Sequence, residues 1–283
     1  MITRKCLPLP AQTMISKDDA MRHERPSGTI RLSWQIPVSL DKLWEACSSA
    51  KGLARWYADE VRGQVSPGAR LQLAWPALGA ELEVTVEEVH DRERIVFSDG
   101  SRRVILRVRE GRVGLEHEGL TPGDATEGTL SSWRIALGNL AHGLQLHPGR
   151  ERSVLWALRS LPVTPELAHL YFTHEAALGM WLTRGGAIGA EGSVCQLRLQ
   201  SGGELSGRVL ACSPERDVLV SWEQEGDSTL AFRTLPAPSA TGQRLVALVW
   251  TRWLAAPPSA LQRRFFEAAL AQLDRVLSER ARC

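Results

Sequence analysis

The chain lacks the short signatures that most often announce enzyme chemistry. No GxGxxG, GxxxxGK[ST], HExxH or GxSxG occurs in its 283 residues, so nothing points directly to a dinucleotide, a nucleoside triphosphate, a zinc peptidase or a serine hydrolase. Cysteine is sparse: Cys6, Cys47, Cys195, Cys212 and Cys283 are odd in number, widely spaced and free of any CxxC. That pattern argues against a disulfide framework or a zinc site and fits reduced thiols in a cytoplasm. No window approaches the roughly 18 apolar residues of a membrane span, and the opening MITRKCLPLPAQTM has no uninterrupted apolar core of a secretory signal. No membrane partner is therefore expected. Lysine is nearly missing, with Lys5, Lys17, Lys42 and Lys51 the only ones among 34 basic residues. The 32 acidic residues are interspersed and the net charge is +2, so the arginine bias reads as codon usage and no nucleic-acid partner is expected.

What is present is an ordinary globular composition, 43% hydrophobic and 23% charged, in a length suited to two domains. A repeat supports that division. Ile36-Pro37-Val38-Ser39 returns as Leu161-Pro162-Val163-Thr164, an offset of 125, and at the same offset Leu53 meets Leu178 and Trp56 meets Trp181. The block ELEVTVEEVHDRERIVFS from Glu81 returns as ELSGRVLACSPERDVLVSW from Glu204, an offset of 123. Trp133, Leu137, Leu140 and Leu144 then correspond to Phe266, Leu270, Leu273 and Leu277, each set on one helical face. Three blocks in one order indicate a duplicated domain. Residues 1–27 read as a mobile tail with Met14 and Met21 as alternative starts, 28–148 as the first domain and 153–283 as the second. The charged Gly149-Arg150-Glu151-Arg152 joins them.

Periodicity predicts the elements of each copy. TIRLSWQI alternates Ile30, Leu32, Trp34 and Ile36 as a half-buried strand. Ser39 offers an N-cap hydroxyl to the helix LDKLWEACS, and KGLARWY forms a second short helical turn. Strands follow at Arg70–Trp75, Glu81–Val89, Arg94–Ser98, Arg103–Val108 and Arg112–Glu118, and one long amphipathic helix closes the unit. The second copy repeats this, with a long connection at Leu235–Gln243 and a closing helix Ser259–Arg282. The expected fold class is α+β: a curved antiparallel sheet wrapped on a long helix carrying a single apolar stripe.

The stretches IPVSLDKLWEACSSAKGLARWY, LAWP, LEVTVEEVHDRERIVFS and GTLSSWRIALGNLAHGL together resemble the START-like superfamily, also called SRPBCC or Bet v 1-like. Within it they resemble the activator of heat-shock protein 90 ATPase homologue family. The resemblance implies two tandem helix-grip domains and a hydrophobic cavity between sheet and long helix far more than it implies an activity. Relatives include lipid and hormone carriers and polyketide aromatases and cyclases. The eukaryotic co-chaperones carry an additional N-terminal domain that residues 1–27 do not resemble.

Candidate pocket residues are Trp34, Trp56, Tyr57, Trp75, His117 and Trp133. Trp56 has a competing role as a packing anchor, which its repetition as Trp181 favours. By alternation His117 shares a face with Val113 and Leu115, opposite Glu116 and Glu118. It and Tyr57 are the candidates for proton transfer, set against a purely structural role. Arg159 aligns with the inward Trp34; the competing register, favoured here, turns Trp156 and Leu158 inward and Arg159 to water. His169 and His174, five apart, do not suit a metal on one helical face. No metal and no cofactor is expected. Arg263, Arg264 and Glu267 mark the solvated face of the closing helix. Trp250 and Trp253, three apart on one strand, lie on opposite faces. With Trp156 and Leu158 outward instead, they imply a second domain that buries its outer face, against a protein partner or in a homodimer. The expected function is binding of a small hydrophobic molecule without catalysis by the protein. The alternatives are an aromatase- or cyclase-like enzyme and a chaperone-linked interaction module.

Overall fold

A computed structural model describes residues 28–121, 123–237, 243–254 and 257–280. The expected tail 1–27, with Met14 and Met21, lies outside the described residues, as do Pro122, the heart of the Leu235–Gln243 connection and the last residues of the closing helix.

The first half runs β1 (Gly28–Gln35), α1 (Leu40–Cys47), α2 (Ala50–Ala54), β2 (Glu60–Gly63), β3 (Arg70–Trp75), β4 (Ala80–His90), β5 (Arg94–Ser98), β6 (Arg103–Arg109), β7 (Arg112–Leu120) and α3 (Asp124–Leu146). The second half repeats this order as β8 (Ser153–Leu161), α4 (Pro165–Thr173), α5 (Glu175–Gly179), β9 (Thr183–Gly185), β10 (Val194–Leu199), β11 (Glu204–Cys212), β12 (Val218–Trp222), β13 (Ser228–Pro236), β14 (Arg244–Arg252) and α6 (Ala260–Arg280). The sheets have the same antiparallel topology, β1-β7-β6-β5-β4-β3-β2 and β8-β14-β13-β12-β11-β10-β9. The first strand of each is held beside the last, with the two short helices between the first and second strands of each copy. This is the α+β layout of two tandem helix-grip domains.

The duplication extends to details that no short motif encodes. Trp56 Nε1 donates to the Ala46 carbonyl at 3.0 Å and Trp181 Nε1 to the Tyr171 carbonyl at 2.9 Å, the same bond moved by 125 residues. The ladder slips between Val86 and Glu88 in β4 and between Val209 and Ala211 in β11, so one β-bulge bends both sheets at the same place. The turns that follow carry a left-handed residue at matching positions, Arg92 (φ 54°) and Glu215 (φ 62°). Gly63 (φ 111°), the last residue of edge strand β2, and Gly186 (φ 100°), just past the end of edge strand β9, stand where a Cβ would collide with the carbonyl of Arg70 or Gln196, so glycine is required twice.

Some local readings change. Ser39 has the extended backbone of an N-cap, but its hydroxyl makes no capping bond; the Glu110 carboxylate accepts from Leu40 N instead, at 2.9 Å. Thr164 does cap α4, accepting from Leu167 N. The second helical turn is short: α2 ends at Ala54, and Trp56 and Tyr57 follow in a turn whose N–H groups donate to the Leu53 carbonyl. Trp253 lies beyond the end of β14, so it and Trp250 are not two faces of one strand; both are buried. Arg159 is on the face of Leu155 and Ala157, not the opposite one. There its Nε and Nη2 reach Asp274 of α6 at 2.8 and 2.7 Å, with the side chain 42% exposed. Its register follows the strand's alternation, and the helix supplies the carboxylate. Trp156, on the other face, is buried as well.

The closing helices differ. In α6 the stripe Phe266, Leu270, Leu273 and Leu277 is buried, as its period requires. In α3 every residue from Ile135 to Gly143 is buried, so a single apolar stripe does not describe it. Among the described residues the compact units follow this: the first comprises residues from 28 to 132 and 140–148, the second 133–139 and those from 149 to 280.

Candidate functional site

The core face of the first sheet carries one cross-strand row, Ile30–His117–Val104–Phe97–Val86, set by the ladders of β1, β7, β6, β5 and β4. All five side chains are buried, and His117 has no exposed surface. Its inward register is thus the one that alternation predicts. Glu116 points the other way and is held by Arg31 and Arg107.

Where β5 turns into β6, the next residues along the sheet are Asp99 and Arg102. Asp99 Oδ1 accepts from Ser101 N and Arg102 N at 3.1 and 2.8 Å, and Oδ2 accepts from Arg102 Nε and Nη2 at 2.8 and 2.5 Å. Both side chains are nearly buried, at 9% and 11% exposed. Burial works to raise the Asp99 carboxyl, yet the hydrogen bonds and charge of Arg102 hold it below the usual carboxylate range.

This ion pair sets the field for two other groups. Burial, aided by the Arg102 cation and opposed by Asp99, pushes the His117 imidazole down to about 4. Burial likewise raises the Tyr57 phenol, with Arg102 lowering it and Asp99 raising it. At neutral pH His117 is therefore a neutral imidazole and Tyr57 a protonated phenol. Tyr57 stands edge-on to Trp75 (centroids 5.7 Å apart, planes at 88°) and beside Trp56 at 5.6 Å.

The structure thus gathers three of the candidate residues, Tyr57, Trp75 and His117, around an Asp99–Arg102 pair that sequence reasoning missed. Trp34 pairs with Val113, four residues along β7 from His117, and is half-buried at the far end of β1. Trp56 is fixed by its bond to Ala46, the packing role its repetition implied. Trp133 is buried, but on the segment 133–139 that groups with the second unit.

The equivalent row in the second sheet is Leu155–Trp250–Leu230–Val220–Val209. Trp250 stands where His117 does. Continuing the register, Trp222 replaces Asp99 and Ser228 replaces Arg102, while Leu182 and Leu199 replace Tyr57 and Trp75. Trp250 Nε1 donates to Ser228 Oγ at 2.8 Å, and its ring lies 5.8 Å from Trp222 and 5.7 Å from Phe266. Phe172, Trp181 and Phe232 form a second aromatic group in the same core.

Among the described residues no group of three or more His, Cys, Asp and Glu side chains is placed to hold a metal. His169 is half-buried and His174 exposed. Burial pushes the Cys47 thiol up to about 12 and Cys195 up to about 11; with Cys212 they are free thiols. No described helix is long and apolar enough to cross a membrane.

Residues 37–142 match the family described as activator of Hsp90 ATPase homolog 1-like protein. No curated protein sequence matches the chain. Solved structures similar to it include DynU16, a protein of the dynemicin biosynthetic locus (20% identity, 88% of this chain, 98% of that chain, TM-score 0.37). The Aha1 dimer from Colwellia psychrerythraea is similar at 16% identity over 43% of this chain and 99% of that one, with a TM-score of 0.39. CalU16 from Micromonospora echinospora is similar at 22% identity over 42% and 74%, with a TM-score of 0.33.

Proposed function

We propose, for a chain whose first domain is of the activator of Hsp90 ATPase homolog 1-like type, that this domain binds a small, mainly apolar molecule through one polar group presented to His117 and Tyr57. One observation carries the reading: at matching positions of a duplicated fold, the first unit keeps Tyr57, Asp99, Arg102 and His117 where the second has Leu182, Trp222, Ser228 and Trp250. Buried polar groups cost folding energy relative to an apolar core. The second unit is a working example of the apolar solution, so packing alone does not call for the polar one. A neutral imidazole accepts a hydrogen bond, a phenol donates one, and Trp75 offers an apolar wall.

The test is calorimetric titration with 1-naphthol, a bicyclic phenol. Saturable one-to-one binding is expected, weakened at least tenfold in H117W, which gives the first unit the second unit's residue, and severalfold in Y57F. Absence of saturable binding, or unchanged affinity in both variants, contradicts the proposal.

The protonation states favour one further reading, proton transfer on a bound polyketide-like substrate with His117 as base and Tyr57 as acid. Turnover that survives His117→Ala intact rules it out.

A further inference from the structure

The outer faces of the two sheets differ most at one corner. In the first sheet the β6–β7 hairpin places Arg109 and Arg112 directly across the ladder from each other, beside the turn Glu110-Gly111. Both residues are exposed, and they share the face of Arg107, two residues before Arg109. Like charges placed opposite one another in a sheet repel, so the pair burdens the strands it joins. At the equivalent positions the second sheet pairs Leu235 with Leu245, and Leu235 is buried. Arg94, across the ladder from Arg107, has Asp217 as its counterpart, where the second unit sets Asp217 3.5 Å from Arg233. The fold thus does not require four arginines at this corner.

The nearby carboxylates are engaged elsewhere. Glu116 accepts from Arg107 at 3.0 Å and from Arg31 at 2.8 Å, and Glu110 accepts from Leu40 N at 2.9 Å. Glu88 pairs with Arg94 and Arg103, and Glu93 is exposed in the β4–β5 turn. Among the described residues no carboxylate lies within ion-pair distance of Arg109 or Arg112. Arg112 is nevertheless held in place. With its amide turned to satisfy both ends, Gln35 donates to the Gly111 carbonyl at 3.2 Å and accepts from Arg112 Nε at 3.1 Å.

We propose that this corner, Arg109 and Arg112 flanked by Arg107, docks an acidic segment of a partner protein. Carboxylates of that segment are taken by the guanidinium forks of Arg109 and Arg112. Two features choose this partner. The neighbours of the arginines on the outer face are Gln35, Ser33 and Gly114, so no apolar wall stands beside them to bury a small molecule. The arginines also cover a single corner bordered by Glu93, Glu110 and Glu116, which is not the long basic stripe that a nucleic acid needs. Charge complementarity to a short acidic stretch remains. The surface lies on the face turned away from His117 and is independent of ligand binding there.

Full-length protein at low ionic strength is titrated with fluorescein-labelled hexaglutamate and, separately, with labelled oligothymidylate, reading anisotropy. Saturable binding of hexaglutamate is expected, weakening as salt is added. R109Q/R112Q is expected to weaken it at least tenfold and each single change severalfold. R70Q, on the same face but paired with Glu83 at 3.0 Å, is expected to leave it unchanged. Because the arginine pair is repulsive, R109Q/R112Q is expected to unfold at the same temperature as the parent or higher. No saturable binding of hexaglutamate, equal binding by the double variant, an equal loss in R70Q, or a markedly less stable double variant overturns the proposal. Tighter binding of oligothymidylate that the double variant loses reassigns the surface to nucleic acid and overturns it as well. 1-Naphthol binding is expected to be unchanged in R109Q/R112Q, which separates this surface from the site at His117.

Discussion

His117 and Trp250 occupy the same place in two copies of one sheet, and their surroundings have diverged together. Around His117 are a buried ion pair and a phenol; around Trp250 are Trp222, Phe266 and a serine hydroxyl that satisfies the indole N–H. The strands, the bulge and the anchoring tryptophans are shared. The backbone thus tolerates either interior, and what the first unit keeps is chemistry that the fold does not demand.

The comparison breaks first if the shared scaffold is not equivalent. Trp56→Ala and Trp181→Ala each remove a buried indole with its hydrogen bond, and each is expected to cost about 3–5 kcal/mol. Urea unfolding should give similar losses; a fully tolerated change at either position contradicts the equivalence. Next is the ion pair peculiar to the first unit. Asp99→Ala leaves Arg102 buried without its carboxylate and is expected to cost about 3 kcal/mol, most of it recovered in an Asp99→Ala, Arg102→Met double variant. A double variant as unstable as the single one shows that the turn needs the pair for its geometry.

A pH profile then isolates His117. Its folded-state value of about 4 lies below the ordinary 6.5, so the unfolded chain binds the extra proton more readily. The stabilisation is full above about pH 6.5 and is lost as pH falls towards 4, on the order of 3 kcal/mol. His169 is lowered too, so the diagnostic is the difference profile against His117→Leu, which should flatten this part of the curve. The smallest effect is expected at Arg159→Ala. Its pair with Asp274 is partly exposed and is worth at most about 1 kcal/mol, falling with added salt.

Much of this was legible in the sequence because duplication writes the same constraint twice. The offset of Trp56 and Trp181 identified an anchor, and alternation along β7 turned His117 inward correctly. Asp99 and Arg102 were not legible: Asp-Gly-Ser-Arg reads as a solvated turn. Its burial follows from a non-local contact, the left-handed Gly119 lying against the Ser101 carbonyl where any Cβ would collide. The edge strands β2 and β9 are too short to show a period. In α3 the small residues Ala136, Gly138 and Ala141 diluted the pattern, so burial on every side was read as one stripe. Arg159 was turned to the wrong face because its carboxylate comes from a helix 115 residues away.

The central claim is that ligand enters beside His117 and not beside Trp250. It is tested most directly by following the His117 ring nitrogens and the Trp222 and Trp250 indole N–H resonances by NMR while 1-naphthol is added. The His117 signals are expected to shift saturably while both indoles stay still. Shifts at Trp222 and Trp250 with His117 unmoved would contradict the account.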